Sequence, residues 1–259
     1  MRILFLGDIV GRPGRQAITR LLPRLKTEWE LDCVVANAEN ASGGIGLTAK
    51  NARQLHDIGL DVLTSGNHIW KHKDVFPCLE SKAWLLRPAN YPPGVPGRGW
   101  SIYTLPKGRL AVINLLGRIF MDRIDCPFRV VESILTQVEN QTRHIVVDFH
   151  AEATSEKKAL FYALSGRVSA VIGTHTHVPT ADAQISSEQT AYISDVGMCG
   201  PYHSVIGMDP EPILKRFRTG LPQPFTVGKG QVVLQGIFLE TDDQGRAMTF
   251  TPVEHFNTL

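Results

Sequence analysis

No run of apolar residues in this sequence approaches the ~20 needed for a helical membrane span. Nor is there a block of like charge. Its 27 Lys and Arg stand against 25 Asp and Glu, a formal net charge of +2 over 259 residues. A membrane protein is therefore not expected, and so small an excess leaves no electrostatic footprint for stable nucleic-acid binding. The four cysteines, Cys33, Cys78, Cys126 and Cys199, form no Cys-x-x-Cys unit. That argues against a zinc ribbon, and a domain of this size needs no disulfide framework. Neither the dinucleotide fingerprint nor the Gly-Lys phosphate loop is present. Gly7, Gly11 and Gly14 have the wrong spacing, and residues 43–46 read as a flexible turn. The apolar residues 1–6 are broken at once by Gly7 and Asp8, without the length or cleavage signal of a secretory leader. The expected compartment is the cytoplasm.

What is present is an alternation of short apolar runs with helix-period segments. Runs at 3–6, 33–36, 62–64, 100–105, 110–115, 144–149, 168–172, 191–194 and 232–239 read as strands. Between them, 15–25, 130–138 and 156–164 carry apolar residues at helical spacing, with Pro23 expected to kink or interrupt the first. Another helix should start after the capping residue Thr48 and stop at Gly59. Strands separated by helices imply a partly parallel sheet. The later strands, with less helix between them, predict a second, more antiparallel sheet packed on the first. The fold class is α/β, a layered α/β sandwich of mixed sheets flanked by helices. Residues 1–259 form a single domain, in which the Pro/Gly-rich segment 197–230 is a loop or small cap.

The informative residues sit where the apolar runs end. Gly7-Asp8, Asn37-Ala38-Glu39-Asn40, Gly66-Asn67-His68, Asp148-Phe149-His150 and Gly173-Thr174-His175-Thr176-His177 each close a predicted strand. In open α/β sheets, ligands bind beyond the carboxyl ends of the strands. His175 and His177, two apart at the end of an extended run, should face one side. Taken singly, Asp8 could cap a helix, and Glu39, Asn40 and Asn67 could be turn formers. Together they assemble carboxylate, amide and imidazole donors without thiolate, a set suited to Fe, Mn, Zn or a similar cation. The donors are too many for one tetrahedral ion. Two ions about 3.5–4 Å apart sharing a carboxylate would use them. Such a pair brings four positive charges against two from Asp8 and Glu39, which favours an anionic substrate such as a phosphate ester. The remaining histidines, His56, His72, His144, His203 and His255, read as structural, and the Lys71/Lys73 and Arg216/Arg218 pairs as solvated faces.

At these stretches, and at Asp195-Val196-Gly197-Met198, the sequence resembles the calcineurin-like metallophosphoesterases. It is most similar to their YmdB-like branch, bacterial phosphodiesterases acting on cyclic nucleotides. The resemblance implies two metal ions per chain, Fe or Mn ahead of Zn or Mg. Asp8, Glu39, Asn40 and His177 would hold one ion; Glu39 would bridge to a second, completed by Asn67, His150 and His175. His68 would be the general acid. A small phosphodiester substrate, 2',3'-cyclic and by extension 3',5'-cyclic nucleotides, and a homo-oligomer are implied as well. Compared with the broad superfamily, Val10 replaces the usual His two residues after the first Asp, and the bridging acid is Glu39. Ile69 stands where an acid would follow the Gly-Asn-His triplet, so no sequence neighbour orients His68.

The expected chemistry is in-line attack on phosphorus by a metal-bound hydroxide, with His68 protonating the leaving group. Arg118, after the 112–116 run, is a candidate phosphate contact or a surface charge. The rival readings are a phosphomonoesterase and a metal-binding regulatory or RNA-associated protein with little hydrolase activity. Against the latter, every proposed ligand is chemically competent and no basic-aromatic stripe appears.

Overall fold

The computed structural model describes residues 1–258. In chain order its first part comprises β1 (Arg2–Leu6), β2 (Asp8–Ile9), α1 (Gly11–Glu28), β3 (Cys33–Asn37), α2 (Ala49–Asp57), β4 (Val62–Thr64) and α3 (Phe76–Ser81). The middle contains β5 (Trp100–Leu105), β6 (Gly108–Leu116), α4 (Pro127–Val138), β7 (His144–His150), α5 (Thr154–Leu164) and β8 (Ala170–Thr174). Then follow β9 (Gln184–Ile185), β10 (Ala191–Ile193), β11 (Met198–Pro201), α6 (Pro210–Thr219), β12 (Gln231–Thr241) and β13 (Ala247–Thr258).

Two sheets face one another. The first has the order β2-β11-β12-β1-β3-β4, with β13 also on β12; the second has the order β5-β6-β7-β8-β10-β9. The segments β1, β3 and β4 run parallel, as do β6, β7, β8 and β10. Their sequences are continuous apolar runs because both faces are covered. On β1, Ile3 and Phe5 enter the layer between the sheets with Val112, Val146 and Ile172. Leu4 and Leu6 point the other way, against Ile18, Leu22 and Leu25 of α1. On the far side, Ala111, Ile113 and Val147 pack under Leu135 of α4 and Leu160 of α5. Strand periodicity thus sorts one run into two cores, and the result is the layered α/β sandwich read from the sequence.

Two expectations are corrected. The late strands do not build a second antiparallel sheet: β12 runs antiparallel along β1, and β11 and β13 flank β12 in the first sheet. The second sheet is the mid-chain, mainly parallel one. The edge of β1 opposite β3 would otherwise leave unpaired backbone groups, and the eleven-residue β12 covers it. Pro23 does not interrupt α1, which is continuous over Gly11–Glu28. Pro23 and Thr19, whose carbonyl loses its usual partner, are both on the exposed side of the helix, where water can replace the missing bond. Thr48 caps α2 as expected, its side chain accepting from the Asn51 backbone N–H at 3.3 Å. Segment 197–230 contains a sheet strand, β11, and a helix, α6. None of the helices of the described residues is long and apolar enough to cross a membrane.

Phe5 has no exposure to solvent and lies in the layer shared by the sheets. Phe5→Ala is expected to destabilise the fold by about 3–5 kcal/mol, lost packing and residual cavity together. Urea denaturation of the two proteins measures this directly.

Candidate metal centre

The parallel strands of both sheets deliver their carboxyl ends to the same end of the sandwich. Asp8 follows β1 directly, Glu39 and Asn40 follow β3, and Asn67 and His68 follow β4. From the facing sheet come His150, the last residue of β7, and His175 and His177 just beyond β8. Seven of the eight predicted residues meet there, and Asn67 stands at the same end of β4, next to His68.

Glu39, His150 and His175 present ligand atoms within 4.8 Å of one another. His150 Nε2 lies 3.2 Å from Glu39 Oε1 and 3.0 Å from His175 Nδ1. Asp8 Oδ1 is 3.7 Å from both His150 Nδ1 and His177 Nε2. Asn40 Nδ2 reaches Glu39 Oε1 at 3.0 Å and His177 Nε2 at 3.2 Å. Its carbonyl is turned to His68 Nδ1 at 2.9 Å. A half-turn of this amide would exchange the two atoms and offer Oδ1 to a cation between Glu39 and His177. Gly66 allows the close approach of these groups. A Cβ there would lie 2.2 Å from His150 Cδ2 and 2.3 Å from Glu39 Oε2.

The histidine pair reaches the site by a different route from the one expected. Strand β8 ends at Thr174, before either residue, so alternation along a strand does not aim them. His175 and His177 instead have φ of 105° and 64°. Non-glycine residues adopt such conformations at a cost of about 1–3 kcal/mol each, and only where surrounding structure holds them. Here the holders are visible. Asp8 Oδ2 accepts from the His175 backbone N–H at 3.1 Å, and Asp195 Oδ2 accepts from that of Thr176 at 2.9 Å. Asp195 is in turn paired with Lys157 of α5 at 3.1 Å, both side chains being almost completely buried.

Behind the cluster lies a relay the sequence reading did not assign. Thr174 Oγ1 donates to Asp148 Oδ1 at 2.7 Å, and His150 Nδ1 lies 2.9 Å from the same hydroxyl. With its proton given to Asp148, the hydroxyl accepts from Nδ1–H. Nε2 of His150 is then the nitrogen that faces Glu39 and His175, the one that would exchange its proton for a metal. Asn37 braces both sides: Nδ2 donates to Asp148 Oδ2 at 3.1 Å and Oδ1 accepts from the Glu39 N–H at 3.1 Å. The available signal was period two, since Asp148 precedes His150 by two residues on β7.

Burial pushes the Asp8 carboxyl up, against the attraction of His177 and His150. Glu39 is buried too, yet the His150 and His68 imidazoles hold it well below the usual carboxylate range. His150, opposed by burial but drawn by Glu39 and Asp8, is raised to about 9. Burial lowers His175 to about 3, with repulsion from His150 adding to it. His68 is raised, first by its hydrogen bond to Glu39.

The residues fit a cation. Asp8 Oδ1 and Asn67 Oδ1 are buried oxygens with no hydrogen-bond partner, which is costly unless something else satisfies them. Anionic and neutral oxygens beside bare imidazole nitrogens form a hard-to-borderline donor set. The orientation of His68, without support in its neighbours, comes from Asn40 and from Glu39, whose Oε2 accepts the His68 backbone N–H at 3.1 Å.

The cluster opens into a cavity of about 760 Å³. His68, Glu39, Asn40, His175 and His177 line it together with Ile213, Arg216 and Phe217 of α6. Arg216 is therefore a cavity residue and not part of a purely solvated face. Arg118 is exposed and is not among the described lining residues. The structural histidines lie elsewhere; His56, for example, stacks on Trp84 with ring centroids 4.4 Å apart.

Two facing mixed sheets with helices outside, carrying a carboxylate–imidazole cluster at their common carboxyl end, define a protein of the metallophosphoesterase type. The sequence profile of the YmdB-like proteins matches residues 4–253, and the chain belongs to that family. A 2',3'-cyclic-nucleotide 2'-phosphodiesterase of Bacillus subtilis is 48% identical over 244 residues, 94% of this chain and 92% of that protein. A crystal structure of a hypothetical protein from Thermus thermophilus superposes with a TM-score of 0.94 at 44% identity, covering 99% of each chain. A Mycoplasma pneumoniae structure described as a novel phosphatase gives 0.93 at 36%, covering 99% of this chain and 93% of that one.

Gly66→Ala is expected to force His150 and Glu39 apart and sharply reduce bound metal, with the far-ultraviolet dichroism of the fold retained. Elemental analysis of the purified variant reads the loss. Lys157→Met leaves Asp195 buried without its counter-ion and should cost about 3–5 kcal/mol in chemical denaturation.

Proposed function

We propose that this phosphoesterase is a dinuclear metal-dependent phosphodiesterase that hydrolyses 2',3'-cyclic nucleotides. The observation that carries the reading is the cluster of Asp8, Glu39, Asn40, His68, His150, His175 and His177, with Asp8 Oδ1 and Asn67 Oδ1 buried and without a hydrogen-bond partner. The activity for which the 48%-identical Bacillus relative is named supports the choice of substrate. In this reading Asp8, Glu39, Asn40 and His177 would hold one ion, and Glu39, Asn67, His150 and His175 a second. The donors accept iron, manganese or zinc, and the family resemblance favours iron or manganese. Bound there, divalent ions supply Lewis-acid polarisation of the phosphoryl oxygens and lower the pKa of a coordinated water.

The chain's own groups do the rest. The Asp148–Thr174 relay fixes the His150 tautomer. Glu39 commits His68 Nδ1 inward at 3.0 Å, a contact that stays when the Asn40 amide turns its oxygen from His68 to the ion. Nε2 is then the ring nitrogen left to meet a substrate in the cavity that His68 lines. From there His68 donates its proton to the departing sugar oxygen, as a general acid must from within hydrogen-bond reach. The same groups serve a 3',5'-cyclic diester if the cavity accepts its geometry. A cytoplasmic location and a homo-oligomer complete the proposal.

His68→Ala is expected to lower turnover of a 2',3'-cyclic nucleotide about 10²- to 10⁴-fold with metal content retained. Steady-state kinetics paired with elemental analysis tests this, and undiminished turnover would remove His68 from the mechanism. A parallel panel of 2',3'-cyclic diester, 3',5'-cyclic diester and phosphomonoester decides the substrate class. Preference for the monoester would replace the proposal with a phosphomonoesterase.

A further inference from the structure

The cavity changes character away from the metal cluster. Its lining also includes Ile45, Met208, Ile213, Arg216, Phe217 and Phe225. On α6, Ile213, Arg216, Phe217 and Gly220 follow one another at i, i+3, i+4 and i+7, so a single helical face turns toward the cavity. Ile213 is buried and anchors that face, whereas Phe217 is 82% exposed and Phe225 46%. The Arg216 guanidinium carbon stands 5.3 Å from the centre of the Phe225 ring, within cation–π range. One half-exposed and one largely exposed aromatic ring, with a planar cation, thus border the same cavity as the phosphate chemistry.

We propose that Arg216, Phe217 and Phe225 form a base-binding subsite, on which the nucleobase of the substrate stacks while its phosphate meets the metal cluster. This rests on the phosphodiesterase reading above. A flat heteroaromatic ring is the ligand such a wall accepts: every base has a π-face, and both phenyl and guanidinium planes stack on it. The cavity volume suits one small molecule. Arg216 is also the one Lys or Arg among its described lining residues. A single cation matches a mononucleotide, whereas a polynucleotide strand would need a track of them. The subsite makes the protein discriminate between cyclic phosphodiesters by what they carry beyond the ring phosphate.

The test uses the metal-loaded protein, with Phe217→Ala and Phe225→Ala singly and combined. Both side chains are substantially exposed, so the fold should tolerate the changes. Two cyclic diesters are compared, 2',3'-cyclic AMP and glycerol 1,2-cyclic phosphate, which has the same five-membered phosphate ring and no base. The ratio of kcat/KM for the first over the second should fall about tenfold in the double variant, mostly through KM. Independently of turnover, calorimetric titration with 3'-AMP should show affinity about tenfold weaker than wild type. An unchanged ratio with unchanged 3'-AMP affinity overturns the subsite. Dissociation of an oligomer by the double variant, with 3'-AMP affinity unchanged, overturns it too and assigns the wall to contact between copies of the chain. If wild-type protein hydrolyses neither diester, the phosphodiesterase reading fails. The 3'-AMP titrations then still decide the subsite: weaker binding by the variant supports it, equal binding ends it.

Discussion

Asp8 and Glu39 are carboxylates with no solvent exposure, and the arrangement of this end of the molecule follows from the cost of burying them. An ionised carboxylate removed from water must find donors or counter-charge. Glu39 Oε2 takes the His68 N–H, Glu39 Oε1 the Asn40 amide, and Asp8 Oδ2 the His175 N–H. The first and last of these bonds tie together strand ends that are distant in sequence. The left-handed backbone at His175 accompanies one of them, with its N–H directed to Asp8. The electrostatic demand of two acids thus shapes the loops that carry the imidazoles.

Support for the imidazoles comes from a second layer of buried polar contacts. Asp148, Thr174 and Asn37 fix His150, and the Lys157–Asp195 pair holds Thr176 between the two distal histidines. A buried ion pair is weak evidence for stability, because desolvation offsets much of its attraction. What this one does geometrically is plain: it connects α5 to the loop after β8. Interactions of this kind keep donors within the narrow tolerances that chemistry at a metal demands.

The cavity joins two regions of different sequence character. Its polar side comes from short, punctuated motifs at strand ends. Its apolar side comes from α6 and the residues around it, in a segment whose prolines and glycines resemble an undifferentiated loop. Selectivity toward the body of a substrate therefore resides in a part of the chain separate from the part that handles its phosphate.

The sequence by itself determined the strands of the two parallel sets, the layered sandwich, the family and the eight residues at the common end of the sheets. Two-sided burial writes itself as unbroken apolar runs, and each site residue stands immediately after such a run. Tertiary structure alone decided the rest. Nothing local in β12 told which edge it would pair, because strand pairing is settled by whichever edge remains open. The aim of His175 and His177 came from their carboxylate anchors and not from strand alternation. The partners orienting His68 are Glu39 and Asn40, 29 and 28 residues away, and the relay behind His150 spans Asp148 and Thr174, 26 apart. Arg216 and Phe217 looked like surface until the fold laid α6 along the cavity. Local pattern records which face of an element is buried; which groups meet across the interior depends on contacts between residues far apart in the chain.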